Sequence, residues 1–379
     1  MSKFYTFALL LLIPLEGAAA SPTLPEAAIG PYYEARLIKS ASQILGPKAD
    51  TQLKRMAEST LFMGARDANC SGVFISSTGH MVTALHCLGD FITISSSKNF
   101  VTQNVGTEKN QDGSTASLAI RRPEFQGKKI EIRHKSIIDE MEYTEATVLY
   151  AGAAFPYNFP DRKNLSALPI LRTAVEDFAV LKFDQIPEGF TCSPSTFREL
   201  SPGEPVVSTG YPVHSEAPFD SIRRKFYSEG RDEAWDAFLV EIDSPENKKT
   251  RKILDLSRPF YASIGAVARS YRELSGMLGS EIDPTGYADA IHPAEKAFIT
   301  TAAAGPGMSG GGVFDREGKL TAVHSMLLLF NPPEVASTDL EGMKFPRSVS
   351  AFTLPYVKGK LSERFGVEKT AEMFRCEPR

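Results

Sequence analysis

The sequence predicts an all-β protein made of two β units. From Thr60 onward, short runs of β-branched and aromatic residues are separated by Gly, Pro, Asn and Asp. Many short strands with such turns between them are typical of a β-sandwich or a β-barrel. A proline-bearing stretch over residues 187–205 divides these runs into two groups. We therefore expect two β units joined by a linker.

The runs that carry this prediction are rich in the apolar and β-branched residues that fit a pleated, half-buried surface. They are residues 60–66, 71–77, 80–85, 129–134, 144–152, 177–183, 204–210, 297–302, 311–315 and 320–330. The first unit is expected to span residues 58–192 and the second unit residues 193–379.

Three segments have apolar residues at helical rather than strand spacing. Residues 21–57 form an N-terminal extension or propeptide, with helical periodicity over 35–45 and again over 51–57. A helical insertion is expected within the second unit over residues 219–256, and a closing helix over residues 356–365. The insertion is interpreted as an amphipathic surface helix, with a lid or a substrate-selecting element as the alternative.

The N-terminus has the layout of a secretory signal peptide. Lys3 supplies a positive charge, residues 4–15 are apolar, and a run of small residues ends at Ala20. This pattern predicts cleavage after about Ala20, so that residues 1–20 are removed. The apolar run is shorter than the roughly 20 residues that span a bilayer, which disfavours a membrane anchor. We expect a secreted or periplasmic protein with no membrane span in the mature chain.

The composition narrows the partners. A formal net charge of −4 and a charged fraction of 23% give no broad positive field, so nucleic acid is not expected as a partner.

The four cysteines, Cys70, Cys87, Cys192 and Cys376, fit an oxidising compartment and lack zinc-ligand spacing. A Cys70–Cys87 disulfide would contribute about 3 kcal/mol by chain-entropy reasoning. Cys192 then pairs with Cys376 by elimination.

Three segments carry residues suited to acyl transfer. The first, CSGVFISSTGHMVTALHC, ends with His86 beside a cysteine; DFAVLKFD opens with Asp177; and GPGMSGGGVFD holds Ser309 among glycines. A serine hydroxyl needs a base of pKa near 7 to take its proton, and histidine supplies one. A buried carboxylate on the other ring nitrogen fixes the imidazole tautomer. The glycines let the backbone N–H groups of Gly307 and Ser309 turn inward as an oxyanion hole.

These segments resemble the motifs of trypsin-like (chymotrypsin-fold) serine proteases. TALHC resembles the histidine motif, DFAVLKFD the aspartate strand and GMSGG the serine motif, in the same order along the chain. The sequences of these motifs most resemble those of bacterial HtrA-type and glutamyl-endopeptidase-type members. The resemblance covers approximately residues 60–366. It implies two antiparallel six-stranded β-barrels, with His86 and Asp177 on the first, Ser309 on the second and the site between them. It also implies a secreted serine endopeptidase that forms an acyl-enzyme on protein or peptide substrates, without a cofactor or metal.

The resemblance says less about specificity. Ala303 stands where trypsin has the carboxylate of its substrate pocket, so a preference for Lys or Arg is disfavoured. His324 follows Ser309 at the spacing of the pocket histidine of glutamyl endopeptidases and could bind a substrate carboxylate. A strand histidine that is hydrogen-bonded to its surroundings is the favoured interpretation of His324. Met308 replaces the acidic residue or asparagine that usually precedes the serine, a change that leaves the backbone donors intact.

Rival interpretations remain open. Asp90 and Asp184 are competing carboxylates, although the position of Asp177 at the start of its strand favours Asp177. His80, His134, His214 and His292 have no metal-ligand spacing, and we expect surface or structural roles for them. Two other functions are possible: an inactive binding protein on a protease scaffold, and a GxSxG esterase. The esterase fold would alternate strands with helices and place its histidine last.

Overall fold

The computed structural model describes residues 26–28, 45–64, 69–88, 100–109, 115–123, 126–135, 141–153, 176–211, 260–270, 273, 295–300, 302, 304, 307–326, 338–340, 343–345 and 349–377. Within these ranges the chain is mostly antiparallel β-structure. The strands are β1 (Glu26–Ala28), β2 (Thr60–Gly64), β3 (Asn69–Phe74), β4 (His80–Thr83), β5 (Phe100–Lys109), β6 (Thr115–Pro123), β7 (Lys129–Lys135), β8 (Met141–Ala153), β9 (Glu176–Phe183), β10 (Pro205–Gly210), β11 (Phe260–Ala268), β12 (Ala297–Thr300), β13 (Gly312–Phe314), β14 (Leu320–Met326), β15 (Thr338–Leu340), β16 (Met343–Phe345) and β17 (Val349–Thr353).

The helices lie near the two ends of the described chain. They are α1 (Ala49–Ser59), α2 (Leu354–Phe365) and α3 (Val367–Met373), with short 3₁₀ turns at Gly46–Lys48 and Leu85–Cys87. The α1 helix confirms the helical periodicity predicted over residues 51–57, and α2 confirms the closing helix. No helix among the described residues combines the length and the apolar character needed to cross a bilayer.

The first sheet is a closed six-stranded barrel in the order β2-β3-β4-β9-β8-β7, with antiparallel neighbours. Strand β9 of this barrel has four consecutive apolar residues, Phe178 to Leu181. Because successive side chains of a strand point to opposite faces, both faces of β9 must be buried. Ala179 and Leu181 fill the barrel interior, whereas Phe178 and Val180 join the core shared by the two barrels. Asp177 therefore lies near the start of a strand whose two faces are both packed in the core.

The second sheet runs in the order β1-β11-β10-β13-β14-β17-β12. A further pairing of β11 with β12 brings its ends together, so that six of these strands form a second barrel and β1 adds to β11. The interior holds small and medium apolar side chains, including Val206, Val267 and Val313. The prediction of two antiparallel six-stranded barrels is confirmed. The same architecture is inconsistent with the alternating strands and helices of the esterase alternative.

Some elements were not predicted from the sequence. The β5–β6 and β15–β16 hairpins, β11 and β17 lie outside the predicted strand runs, and β1 is a strand within the extension interpreted as helical. The predicted helical insertion over residues 219–256 and the periodicity over 35–44 lie outside the described residues.

Two disulfides tie the fold together. Cys70 is bonded to Cys87, joining β3 to the turn after β4, and Cys192 is bonded to Cys376. The second bridge fastens the end of the chain to the first barrel, where the Ser77 N–H also donates to the Arg375 carbonyl at 3.0 Å. Both expected pairings are present in the structure. Disulfides of this kind fit an oxidising compartment.

Candidate active site

His86 lies in the 3₁₀ turn that follows β4. Its neighbours Leu85 and Cys87 are buried, at 1% and 0% exposure, and Cys87 is held by the disulfide to Cys70. Both neighbours are thus anchored in the first barrel, whereas the His86 side chain is 30% exposed. The turn therefore presents one imidazole at the edge of a rigid barrel.

Asp177, at the start of β9, binds His86 twice. The His86 backbone N–H donates to Asp177 Oδ1 at 2.9 Å, and His86 Nδ1 lies 2.8 Å from Asp177 Oδ2. The carboxylate thus fixes the turn and the ring together. A proton on Nδ1 leaves Nε2 of the neutral imidazole with its lone pair, which is the tautomer that can act as a base.

The Asp177 carboxylate is buried and remains ionised. Burial by itself raises the pKa of this group, but the His86 imidazole, together with hydrogen bonds from His86 and the Ser325 hydroxyl, holds the pKa below its ordinary value. The Ser325 Oγ–H donates to Asp177 Oδ2 at 2.7 Å. Ser325 belongs to β14 in the second barrel, so both barrels hold this carboxylate.

Ser309 lies in a tight turn before β13. The Gly311 N–H donates to the Met308 carbonyl at 2.9 Å, which closes the turn around Ser309. Gly307 and Gly310 have φ values of +94° and +81°, in the left-handed region that side-chain-bearing residues avoid. The positive φ values therefore explain why glycine is found at positions 307 and 310 of this segment.

The Ser309 turn contacts the first barrel beside His86. The Ser71 N–H of β3 donates to the Ser309 carbonyl at 2.7 Å. Cys87, the residue after His86, has its Sγ 3.6 Å from the same oxygen. A Cβ added to Gly310 would lie only 2.2 Å from Thr83 Oγ1 at the end of β4. The structure therefore brings the Ser309 turn against the segment that carries His86 and Asp177.

His324 is buried in β14, at 2% exposure. Its Nε2 lies 2.8 Å from the Ser208 hydroxyl, and burial lowers the pKa of the imidazole to about 3. Its backbone supports the serine turn, since the Gly310 N–H donates to the His324 carbonyl at 2.8 Å. The other residue expected in the substrate pocket, Ala303, lies outside the described residues.

The rival candidates lie elsewhere. Asp184, the residue directly after β9, is 78% exposed and lies 3.8 Å from the Lys129 ammonium, and Asp90 is outside the described residues. His80 contacts the Ser76 and Thr78 hydroxyls. His134 is buried, with Nε2 2.8 Å from Thr144 Oγ1. His214 and His292 are outside the described residues.

The part of the chain that the structure describes has one group of side chains spaced like metal ligands, made of Cys70, His86 and Cys87. The two sulfurs are bonded to each other, so neither is the thiolate that a metal would require. This group is therefore accounted for by the disulfide.

Sequence reasoning missed the hydroxyl that bonds the Asp177 carboxylate and the contacts of the residue directly before Asp177. Ser325 follows a predicted strand histidine, but nothing in the sequence connects it with a carboxylate 148 residues away. Glu176 accepts hydrogen bonds from the Tyr150 hydroxyl at 2.9 Å and the Tyr356 hydroxyl at 2.8 Å. A charged residue directly before the candidate aspartate was the only available signal.

Comparison with known families matches residues 70–323 to the trypsin-like peptidase domain. The match spans most strands of both barrels and includes His86, Asp177 and Ser309. The chain belongs to the trypsin-like peptidase family. Membership of this family makes the chain a protease of the serine type, with peptides or proteins as the class of substrate.

Solved structures similar to this trypsin-like peptidase include Deg5, at 14% identity, covering 84% of this chain and 94% of that chain with a TM-score of 0.38. The serine endoprotease from Yersinia pestis is 14% identical over 84% of this chain and 66% of that chain, with a TM-score of 0.37. The HtrA-type protease AlgW, solved with a decapeptide, is 13% identical over 83% of this chain and 67% of that chain, with a TM-score of 0.36. No curated protein matches the sequence.

Proposed function

We propose that this trypsin-like peptidase is an endopeptidase that works through an acyl-enzyme, with His86, Asp177 and Ser309 as its catalytic triad. The observation that carries the proposal is the buried carboxylate of Asp177, 2.8 Å from His86 Nδ1. Among the described residues, this pair has the geometry that a general base requires, and the family match includes it.

The proposed reaction begins when Ser309 Oγ attacks the carbonyl carbon of the scissile peptide bond. The hydroxyl proton passes to His86 Nε2, while Asp177 stays ionised and stabilises the imidazolium. The N–H groups of Gly307 and Ser309 bind the oxyanion. The C–N bond breaks as His86 returns its proton to the leaving amine, which leaves an ester on Ser309. Water then hydrolyses this ester by the same steps, with His86 again as base.

The position of Ser309 supports its role as the nucleophile. Its carbonyl oxygen accepts from the Ser71 N–H and lies 3.6 Å from Cys87 Sγ, one residue from His86. The turn that holds Ser309 is fixed from the second barrel as well, through the bond from the Gly310 N–H to the His324 carbonyl. The nucleophile is therefore held between both barrels, whereas a serine in a surface turn would be mobile.

We further propose that the enzyme has no preference for Glu before the peptide bond that it cuts. A pocket histidine that recognises a carboxylate must be accessible, and a positive charge strengthens such binding. The His324 imidazole is 2% exposed, its Nε2 contacts Ser208, and its pKa of about 3 keeps it neutral at ordinary pH. Cleavage of a peptide library tests this point, because enrichment of Glu before the cut would contradict it.

Export from the cytoplasm is also part of the proposal. The signal-like residues 1–20 and the two disulfides support a secreted or periplasmic location. Determination of the N-terminus of the exported protein tests this, with Ser21 as the expected first residue if the extension is retained.

Labelling with a fluorophosphonate tests the nucleophile. The purified wild-type protein should react, and mass spectrometry of its peptides should place the adduct on Ser309. A Ser309→Ala variant should neither react nor cleave a peptide library. Labelling that persists in this variant would contradict the assignment of Ser309. A correctly folded wild-type protein that neither reacts nor cleaves would favour the inactive binding protein.

A further inference from the structure

Ser71 in β3 is completely buried, and all its polar atoms are engaged. Its N–H donates to the Ser309 carbonyl at 2.7 Å, and its own carbonyl accepts from Thr83 Oγ1 at 2.7 Å. Its hydroxyl donates to the Gly307 carbonyl at 3.0 Å and accepts from the Tyr211 N–H at 2.9 Å. One residue of the first barrel therefore contacts the serine turn twice and the end of β10 once.

The ladder between β3 and β4 explains why these groups are available. The first pair between β3 and β4 is Gly72 with Thr83, and Ser71 is the residue directly before this pair. The N–H that would otherwise continue the ladder reaches the Ser309 carbonyl instead. The end of a strand pairing in the first barrel is thus continued by the serine turn of the second.

The partners of the hydroxyl require this residue type. The Gly307 carbonyl is an acceptor and the Tyr211 N–H is a donor, and a hydroxyl can serve both at once. An alanine at position 71 would remove the partner of both backbone groups, at a buried site for the Gly307 carbonyl and at a part-buried site for the Tyr211 N–H. A buried polar group left without a partner costs more than the bond itself contributes. Threonine keeps the hydroxyl.

Gly307 and Ser309 supply the N–H groups of the proposed oxyanion hole. Ser71 forms hydrogen bonds to the carbonyls of the same two residues. The peptide group between Ser309 and Gly310 is fixed at both ends, because its N–H donates to the His324 carbonyl. Since each peptide group is planar, a carbonyl held in this way limits rotation of the turn around Ser309.

We propose that Ser71 is a positioning residue that aligns the oxyanion hole by linking the serine turn to the first barrel. The inference rests on the proposed function, since the oxyanion hole belongs to it. Ser71 touches no reacting atom. Its contribution is the placement of Gly307 and Ser309 relative to His86, which lies in the same barrel as Ser71.

The kinetic test compares Ser71→Ala with Ser71→Thr on a peptide substrate. Ser71→Ala should lower kcat by about ten- to a hundred-fold with KM changed less than about two-fold, because small displacements of oxyanion donors act on the transition state. Ser71→Thr should retain most of kcat. Ser76→Ala is the matched control: Ser76 is also fully buried in the first barrel, and its hydroxyl accepts from the His80 N–H, away from the serine turn.

Hydrogen exchange provides a second readout that needs no activity. In the Ser71→Ala protein, amides of residues 307–311 and of Tyr211 should exchange about five-fold faster than in wild type, as expected for loss of a hydrogen bond. Amides of β9 should be unchanged. In Ser76→Ala, the serine turn should keep its wild-type protection.

The outcomes separate the two proposals. An inactive wild-type protein would overturn the proposed function. Amide hydrogen exchange of residues 307–311 in Ser71→Ala would still test whether Ser71 positions the serine turn. Unchanged kcat and unchanged exchange in Ser71→Ala would overturn the positioning role. Faster exchange throughout the first barrel would do the same, because it would indicate general destabilisation. If Ser71→Ala does not fold, Ser71→Thr decides: retained kcat supports the inference, and lost kcat in a folded variant contradicts it.

Discussion

The Tyr356 hydroxyl of α2 donates a 2.8 Å hydrogen bond to Glu176, the residue directly before Asp177. Tyr150 of β8 donates to the other oxygen of the same carboxylate at 2.9 Å. Tyr356 also packs edge-on against Phe178, the residue directly after Asp177, with ring centroids 6.2 Å apart. The closing helix therefore holds the start of β9 on both sides of the candidate aspartate.

Tyr356→Phe should lower the free energy of unfolding by about 1 kcal/mol, because it removes one hydrogen bond and keeps the ring. Burial, helped by the Glu176 carboxylate, raises the pKa of Tyr356 well above its ordinary value, so the hydroxyl is protonated and donates at working pH. Urea denaturation measures the effect, with Tyr150→Phe as the matched variant on the other oxygen. Wild-type stability in Tyr356→Phe would show that the bond contributes nothing.

Asp177→Asn should lower kcat by about ten-thousand-fold, because an amide does not impose the Nδ1–H tautomer on His86. Ser325→Ala should have a milder effect, about ten-fold, since it removes one of several hydrogen bonds to the carboxylate. Steady-state kinetics on a peptide substrate measure both. Asp184→Asn, at an exposed position directly after the same strand, should behave like wild type. Near-normal turnover in Asp177→Asn together with loss in Asp90→Asn would reassign the carboxylate.

Gly310→Ala should be far more damaging than Gly203→Ala. The two glycines have nearly equal φ values, +81° and +79°, so alanine costs about 1 kcal/mol in backbone strain at either position. At Gly203 the added methyl meets nothing within 4 Å, whereas at Gly310 it would lie 2.1 Å from the Ser71 carbonyl oxygen. Crowding adds about 1–3 kcal/mol there, giving a total of about 2–4 kcal/mol.

Thermal and urea unfolding of the two glycine variants measure this difference, and Gly310→Ala should also lose turnover. Equal destabilisation in the two variants would mean that the serine turn has room to move away from Ser71.

Acid should destabilise the protein before its carboxylates titrate. Burial lowers the pKa of His324 to about 3, so between pH 6.5 and 3 the unfolded chain binds a proton that the folded chain does not. The free energy of unfolding therefore falls as the pH falls, by up to about 1.4 kcal/mol per pH unit from this group. His80, whose pKa burial lowers to about 4, contributes in the same direction.

Urea denaturation between pH 7 and 4.5 tests this, because Asp177, with its pKa held below the ordinary value, stays ionised there. His324→Gln should start from lower stability but show a flatter dependence on pH. Identical slopes in wild type and His324→Gln would exclude His324 as a source of the acid sensitivity.

The sequence predicted those parts of the molecule whose signal is local. The β9 run is apolar at consecutive positions because both its faces are buried, and the glycines beside Ser309 record a turn with positive φ values. By contrast, β11 is rich in alanine and glycine, so its strand character depends on its pairing with β10, β12 and β1. The contact of Tyr356 with Glu176 spans 180 residues, and no pattern within either segment indicates it.

The bond between Cys192 and Cys376 makes everything between them a covalent ring of the chain. A single cut anywhere in this ring leaves both fragments joined, so a nicked protein stays one covalent molecule, heavier only by the water added at the cut, until a reductant separates the fragments. Self-digestion within the second barrel would therefore be invisible on a non-reducing gel and would appear only after reduction. The bridge also secures the last helices to the first barrel, so such a nick releases no fragment.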